Sequence, residues 1–322
     1  AQAAHIHRPR GPMGLNVLYA GRPARWPEFR PPLEAEFARA GLTVHLSPEI
    51  APEEVDYIVF APTGPVSDFT PYTRTKAVLS LWAGVEKVVG NATLTQPLCR
   101  MVDEGLTLGM AEWVTGHVLR HHLDIDKDVN RAPGDWEADI PPLAPERPVT
   151  FLGLGELGQA AARTLIELGF PVTGWSRSAK DIPGMRCLHG EGGLHKALHS
   201  AEILVLLLPN TPATENIMNS ETLAMLPRRA VVINPGRGPL INDEDLLAAL
   251  DSGQIRHATL DVFRVDPLPE EHPFWHHPKV TVTPHIAADT RPSTSAKVIV
   301  ENVRRCEAGE PLLHLVDRDL GY

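Results

Sequence analysis

Three polar residues in the second half of the chain could act together on a small acid. Arg237, Asp266 and His285 each follow a separate apolar run. A guanidinium can hold the carboxylate of an α-keto acid and polarise its carbonyl, while a histidine can donate a proton to the alkoxide that reduction produces. A carboxylate can orient that histidine and keep it protonated. Taken singly, however, an arginine after glycine also suits a phosphate contact, and a histidine after proline also suits a packed loop.

The apolar runs that precede these residues predict the strands that position them. The predicted strands cover residues 230–233, 257–262 and 280–283, and segments with helical patterns separate them. This alternation is typical of a parallel sheet. Because the carboxyl ends of parallel strands meet at one edge of the sheet, we expect the three polar side chains at that edge, where ligands bind.

A glycine-rich segment earlier in the chain predicts a dinucleotide site in the same sheet. Gly153, Gly155 and Gly158 lie between an apolar run at 149–152 and a helix predicted over 159–168. In this spacing the first glycine permits a tight turn, the second lets the backbone approach a pyrophosphate at the helix N-terminus, and the third lets the helix pack closely on the strand. The alternative is a glycine turn that only packs a helix. Further strands are predicted at 170–175, 185–188 and 203–208.

The residues after the second strand of this unit indicate which dinucleotide is bound. An NAD-binding domain usually has a carboxylate there for the ribose 2′-hydroxyl. This chain has Ser176, Arg177 and Ser178 instead, and the next carboxylate is Asp181. A guanidinium flanked by hydroxyls suits a 2′-phosphate, so we predict a preference for NADP(H), with NAD(H) possible. The alternative is a surface arginine without a ligand.

The first part of the chain predicts a second, smaller parallel sheet. Its strands are expected at 15–19, 42–46, 55–61 and 77–81, with a proline-rich loop over 22–32 and a helix over 33–40 between the first two. A last helix over 293–306 is placed to return to this domain. A long helix from Met110 to about Val129 is expected to cross between the domains.

These elements predict an α/β protein with two Rossmann-like or flavodoxin-like parallel-sheet domains and a cleft between them. Residues 14–110 together with 290–322 form the predicted substrate domain, which is discontinuous. Residues 111–289 form the predicted dinucleotide-binding domain, with a proline-rich arm over 131–148. Residues 1–13 read as a disordered leader or a non-native remnant.

Composition excludes several classes of function. The net charge of −10 argues against a nucleic-acid or anionic-membrane surface, although a local basic pocket for a small anion stays open. No apolar run approaches the roughly 20 residues of a membrane span. The three cysteines are widely spaced and suggest neither a metal site nor a disulfide framework, which suits a reducing, cytoplasmic setting. We predict no bound metal.

Several segments resemble the D-isomer-specific 2-hydroxyacid dehydrogenases, across both domains and in the same order. They are residues 153–158, 208–214, 234–238, 260–269 and 283–288. Segments 175–178 and 111–113 look most like the glyoxylate/hydroxypyruvate reductase A group. The resemblance implies NADPH-dependent reduction of glyoxylate and hydroxypyruvate, with Arg237, His285 and the acid partner of that histidine as the catalytic set. A reductase of bulkier keto acids such as phenylpyruvate, or a dinucleotide-responsive binding protein with little turnover, are the alternatives.

The resemblance also assigns binding roles. It implies that the backbone of Gly84 and Val85 binds the substrate carboxylate, that Arg100 adds a second positive contact, and that Trp275 walls the pocket, although packing or surface roles suit the last two equally. In the family the proline-rich arm embraces a second subunit, so a homodimer is implied. The implied cofactor contacts are Gly155, Glu156, Leu157, Ser176, Arg177, Ser178, Leu208, Pro209, Thr214, Asn234, Pro235, Gly236 and Asp261.

One position departs from the family pattern. The acid partner is usually Glu, whereas this chain has Asp266. Aspartate is one methylene shorter, so we expect its carboxylate to reach His285 by a small backbone shift or through water. Asp103 and Asp289 are weaker candidates for the same role.

Overall fold

The computed structural model describes residues 14–322, which form two α/β units. One unit runs to Asp103 and resumes at Thr290, and the other spans Glu104–Asp289. The predicted leader over residues 1–13 lies outside the described residues. The boundary between the units falls after Asp103, seven residues before the predicted boundary at 110. The helix predicted to start at Met110 starts at Glu104 instead and lies wholly in the second unit.

The first unit contains a five-stranded parallel sheet. Its strands are β1 (Leu15–Ala20), β2 (Val44–Ser47), β3 (Tyr57–Phe60), β4 (Ala77–Ser80) and β5 (Leu98–Cys99), arranged in the order β2-β1-β3-β4-β5. This is the flavodoxin-like order. Strand β5 was not predicted, because two residues are too few to give a periodic pattern.

Helix α1 (Trp26–Arg39) covers part of a segment that the sequence predicts as a loop, so that prediction was wrong. The helix contains Pro31 and Pro32, which each remove one backbone hydrogen bond. Its buried face consists of Phe29, Leu33 and Phe37, spaced four residues apart. Burial of this stripe outweighs the lost hydrogen bonds, since most helical stability in proteins comes from packing.

The second unit contains a seven-stranded parallel sheet with helices between its strands. The strands are β6 (Val149–Leu152), β7 (Val172–Ser176), β8 (Arg186–His189), β9 (Ile203–Leu206), β10 (Ala230–Asn234), β11 (Ile255–Leu260) and β12 (Val280–Val282), in the order β12-β11-β10-β9-β6-β7-β8. The helices are α2 (Glu104–His122), α3 (Ile125–Val129), α4 (Glu156–Glu167), α5 (Gly190–His199), α6 (Ser220–Met225) and α7 (Asp243–Asp251), and α8 (Pro292–Ala308) belongs to the first unit. The predicted fold class is confirmed.

Burial explains why the central strands read as continuous apolar runs. Every residue of β6, β9 and β10 is buried, as expected for strands covered on both faces.

The predicted N-cap of α7 is also observed, since the Asn242 side chain accepts a hydrogen bond from the Asp245 backbone. The helix predicted to continue to Val129 breaks at Asp124, whose φ of 53° is left-handed. Among residues 14–322, no helix is long and apolar enough to cross a membrane.

A group of three histidines, of which His121 is buried and His117 and His257 are half-buried, joins α2 to the sheet of the second unit. We call His117, His121 and His257 the histidine cluster. The His121 and His257 rings lie 4.9 Å apart, and their Nε2 atoms lie 2.7 Å and 2.8 Å from the hydroxyls of Thr259 and Thr281. These polar atoms are therefore satisfied inside the protein, as burial requires.

Candidate active site

The glycine turn after β6 has the geometry that each glycine position demands. Gly153 has a φ of +107°, and a Cβ there would lie 2.4 Å from the Leu207 carbonyl oxygen. A Cβ at Gly158 would lie 2.3 Å from the carbonyl oxygen of Gly153. A Cβ at Gly155 would meet nothing within 4 Å, so the backbone is open where a pyrophosphate would approach.

The start of α4 presents free backbone donors beside this turn. The helix begins at Glu156, and Gln159 makes a hydrogen bond of 2.9 Å back to the Gly155 carbonyl. The N–H groups of Glu156, Leu157 and Gly158 precede that first helical bond, and the helix dipole favours an anion there. Gly155 and Glu156 are exposed and Leu157 is half-buried, so this face of the turn is accessible.

The three residues predicted to bind the 2′-phosphate follow strand β7. The Ser176 hydroxyl is buried and donates to the Ser178 carbonyl at 2.7 Å, which shapes the turn. Arg177 and Ser178 are exposed at the carboxyl end of β7, next to β6 and its glycine turn. The segment therefore places a cation at the end of the strand where NAD-binding domains place a carboxylate.

The loop after β9 forms another wall at the same edge of the sheet. The Thr214 hydroxyl donates to the Pro209 carbonyl at 2.6 Å and accepts from the Thr211 backbone at 2.9 Å. Leu208 is buried beneath this loop, while Pro209 and Thr214 are half-buried. The predicted contacts thus belong to one compact loop whose shape the Thr214 hydroxyl maintains.

The loop after β10 positions Arg237 through Asn234. The buried Asn234 amide accepts from the Gly236 backbone at 3.1 Å and donates to the Arg237 carbonyl at 2.9 Å. A Cβ at Gly236 would lie 2.6 Å from a carbonyl oxygen of β9, so only glycine fits there. Asn234, Pro235 and Gly236 are all buried, whereas the Arg237 side chain is half-exposed. The observed task of Asn234 is to shape the loop that carries Arg237.

Asp261 anchors the loop that carries His285. Its carboxylate accepts from the Thr283 hydroxyl at 2.6 Å and from the backbone of Ile286 and Ala287 at 2.8 Å and 3.0 Å. Burial raises the pKa of Asp261, and these hydrogen bonds oppose that shift. Asp261 is buried, and its predicted cofactor contact stays a prediction. Its three donors come from residues more than twenty positions away, which no local sequence pattern reveals.

Asp266 and His285 meet directly. The Asp266 carboxylate contacts Nδ1 of His285, so the shorter side chain needs no bridging water. The His285 side chain is half-exposed, and its φ of 55° is a left-handed conformation that non-glycine residues rarely adopt. Such strain is typical of functional positions held in place by their surroundings.

The three candidate catalytic residues come from loops after neighbouring strands. Arg237 follows β10, Asp266 follows β11 and His285 follows β12, and these strands are adjacent in the sheet. All the strands are parallel, so the three loops leave the same edge as the glycine turn. The structure thus places all three residues at the carboxyl ends of the strands, as expected.

The predicted substrate loop of the first unit follows β4. Across residues 14–322, no acceptor lies opposite the backbone N–H groups of Gly84 and Val85. The Trp82 backbone is held by the Ser80 hydroxyl at 3.1 Å and by Met101 at 2.9 Å. Arg100 is half-buried, and its backbone donates to the carbonyl of His314 at 3.0 Å. Two unpaired N–H groups on a supported loop suit a carboxylate.

Trp275 lies in the second unit, on a short turn before β12. The residue is 47% exposed, and its indole N–H points to the Leu268 carbonyl at 3.4 Å. The neighbouring Phe274, in contrast, is buried in the core. Trp275 is therefore not a core residue, and its predicted place in the pocket wall stays a prediction. In the described part of the chain, no group of three His, Cys, Asp or Glu side chains is arranged to hold a metal ion.

The fold and these loops define a two-domain α/β protein with a dinucleotide fingerprint and an Arg–Asp–His set at one sheet edge. Residues 115–287 match the model for the NAD-binding domain of D-isomer specific 2-hydroxyacid dehydrogenases. The chain belongs to this family.

Similar proteins include glyoxylate/hydroxypyruvate reductases. One relative from Salmonella newport bears the name glyoxylate/hydroxypyruvate reductase A and is 41% identical over 259 residues, covering 77% of this chain and 82% of the relative. A family member from Xanthobacter autotrophicus, solved with NADPH and MES, has a TM-score of 0.89 and 41% identity, with 96% and 99% of the two chains covered. An NADPH-dependent glyoxylate/hydroxypyruvate reductase from Sinorhizobium meliloti, solved with NADP and sulfate, has a TM-score of 0.83 and 34% identity, with 96% and 100% covered.

Proposed function

We propose that this protein reduces glyoxylate and hydroxypyruvate to 2-hydroxy acids with NADPH. The observation that carries the proposal is the direct contact between Asp266 and His285 on loops beside the one that carries Arg237. The names of the relatives support the substrate class, and the relatives solved with NADPH or NADP support the cofactor.

Each side chain of the set has one task in the reaction. Arg237 binds the substrate carboxylate and stabilises negative charge on the carbonyl oxygen. His285 donates a proton to that oxygen from Nε2, since its Nδ1 is engaged by the Asp266 carboxylate. Asp266 fixes the orientation of the ring and stabilises the imidazolium. Asp261 is a positioning residue, because it acts only through the His285 loop.

The residues at the glycine turn fit a dinucleotide. The open space at Gly155 and the donors at the start of α4 suit the pyrophosphate, and Arg177 suits the 2′-phosphate. When bound, the nicotinamide supplies the hydride that reduces the keto carbon. The protein contributes binding, orientation and charge.

Arg177 accounts for the proposed cofactor preference. Arg177→Ala should raise the KM for NADPH about 10- to 100-fold, because a charge-assisted hydrogen bond to the 2′-phosphate is lost. The KM for NADH should change little, since NADH lacks that phosphate. Lys180→Ala, which removes a nearby exposed cation, is the matched control for net charge. Equal effects of Arg177→Ala on both cofactors would contradict the assignment.

Asp266 accounts for the proposed state of His285. Asp266→Asn should lower kcat/KM about tenfold or more, since the charged hydrogen bond to the ring is lost. Steady-state rates with glyoxylate at neutral pH measure this effect, with Glu270→Gln on the same loop region as control. An unchanged rate would mean that another group orients His285.

The proline-rich arm supports a homodimer. Trp136 is 95% exposed and Ile140 is 92% exposed, and Val129 and Leu143 also expose most of their apolar surface. Apolar side chains that protrude in this way are typical of interfaces. We therefore propose that the arm packs on a second copy of the chain, and that the protein works in the cytoplasm without nucleic-acid or membrane partners. Sedimentation of the parent and of Trp136→Ser tests the dimer.

A panel of keto acids tests the substrate class. We expect kcat/KM to be highest for glyoxylate and hydroxypyruvate and clearly lower for phenylpyruvate. A preference for phenylpyruvate would favour the alternative that the protein is a reductase of bulkier keto acids. Tight NADPH binding with slow turnover of every keto acid would favour a dinucleotide-responsive binding protein.

A further inference from the structure

A basic pocket lies at the amino ends of the strands in the second unit, at the edge of the sheet opposite the glycine turn. Arg147 comes shortly before β6, Arg228 and Arg229 come directly before β10, and Arg256 is the second residue of β11. We call these four residues the arginine pocket. Its volume is about 400 Å³, within the range of small-ligand sites.

The arginines of this pocket are only partly neutralised. Arg147 lies 3.6 Å from a carboxylate oxygen of Glu202, and Arg256 lies 3.5 Å from one of Asp124. Both distances exceed those of good charged hydrogen bonds. The Arg228 guanidinium donates to the Ser252 carbonyl at 3.4 Å, and among residues 14–322 neither Arg228 nor Arg229 is ion-paired with a carboxylate. A third carboxylate, Asp139, also lines the pocket and is ion-paired with Lys127. The pocket therefore retains guanidinium groups that can bind an anion, in a chain whose net charge is −10.

Holding these cations together costs free energy. Burial lowers the pKa of Arg256, and repulsion from Arg147 and Arg229 lowers it further, against the attraction of Asp124. Arg229 also has a φ of 66°, a left-handed conformation that is uncommon outside glycine. Repulsion and backbone strain at one place are typical of a site kept for a ligand.

We propose that the arginine pocket binds a small anion that carries two or more phosphate charges. Guanidinium groups bind phosphate oxygens through paired hydrogen bonds, and four around one cavity match an anion of high charge density. The Arg147 side chain also donates to Nδ1 of the buried His122 at 3.3 Å, which fixes its direction. The site is separate from the glycine turn, because the two lie at opposite ends of the same parallel strands.

Titration calorimetry with inorganic pyrophosphate tests the proposal. The parent should bind pyrophosphate saturably in a buffer of constant ionic strength set with chloride. Arg228→Gln and Arg229→Gln should each weaken binding about tenfold or more, since each removes a charged hydrogen bond. Both side chains are exposed, so the variants should fold, and thermal unfolding without ligand verifies this. Arg186→Gln, an exposed arginine at the start of β8, is the matched control and should bind like the parent.

The glycine turn could also attract pyrophosphate, so a second arm separates the sites. Arg177→Ala should keep the pocket's affinity, as should the parent in the presence of saturating NADPH. Absence of binding to the parent would overturn the proposal. So would binding that Arg228→Gln and Arg229→Gln leave unchanged, or binding that NADPH abolishes. None of these outcomes depends on whether the protein reduces keto acids.

Discussion

His285→Gln is expected to slow reduction of glyoxylate about 10²- to 10⁴-fold, the usual contribution of a positioned general acid. Glutamine keeps a polar side chain near Asp266 but cannot donate a proton to an alkoxide at neutral pH. The loss should fall on kcat, with the KM for NADPH little changed, because the glycine turn and Arg177 are untouched. Steady-state rates with glyoxylate and hydroxypyruvate measure this effect.

Two controls separate chemistry from folding in this experiment. His276→Gln removes an exposed histidine of the same unit and should leave the rate unchanged. The affinity of His285→Gln for NADPH, measured by quenching of tryptophan fluorescence, should match that of the parent. A His285→Gln variant that turns over within about threefold of the parent would remove His285 as the general acid.

Acid should destabilise the second unit through its histidine cluster. Burial and the nearby Arg120 guanidinium together lower the pKa of His117 and His257 to about 4. Burial, the neighbouring His257 and Arg120 together lower the pKa of His121 to about 2. The unfolded chain takes up these protons near its ordinary value of 6.5, whereas the folded chain does not. Stability is therefore complete above pH 6.5 and falls below it, by about 1.4 kcal/mol per pH unit for each group until its folded pKa is reached.

For three groups, the total loss by about pH 4.5 is several kcal/mol, comparable to the stability of a typical domain. Chemical unfolding of the parent and of His257→Gln between about pH 7 and 4.5 measures the effect. The variant should take up about one proton fewer on unfolding. Its free energy of unfolding should therefore fall by about 1.4 kcal/mol less per pH unit. His276→Gln is the control, since that side chain is exposed. Identical slopes in the parent and His257→Gln would contradict the buried neutral state.

Much of the fold was predictable because its signals are local. The runs at β6, β9 and β10 are apolar at nearly every position, and helices between them leave a parallel sheet as the consistent arrangement. Prediction failed where packing overrides local preference. Helix α1 forms despite Pro31 and Pro32, because the stripe through Phe29, Leu33 and Phe37 is buried. The two-residue strand β5 is defined by its pairing with β4 and by an antiparallel bridge from Cys99 to Leu315, and both partners are distant in sequence.

Part of the candidate site could likewise be predicted from the sequence, and part could not. The glycine spacing and the order of Arg237, Asp266 and His285 along the chain could be read directly, since each stands at the end of a recognisable strand. The anchoring role of Asp261 could not, because its hydrogen-bond donors are distant in sequence. The same holds for the arginine pocket, whose members come from loops and from strand β11 and are brought together only by the sheet.

The most direct measurement is the loss of absorbance at the nicotinamide band when purified protein receives hydroxypyruvate or glyoxylate. NADPH and NADH are compared in parallel at equal concentration. Fast loss with NADPH and slow loss with NADH is the predicted result, and it would support the reaction and the task of Arg177 together. Fast loss with NADH would contradict the cofactor assignment alone. No loss with either cofactor would contradict the proposed reaction.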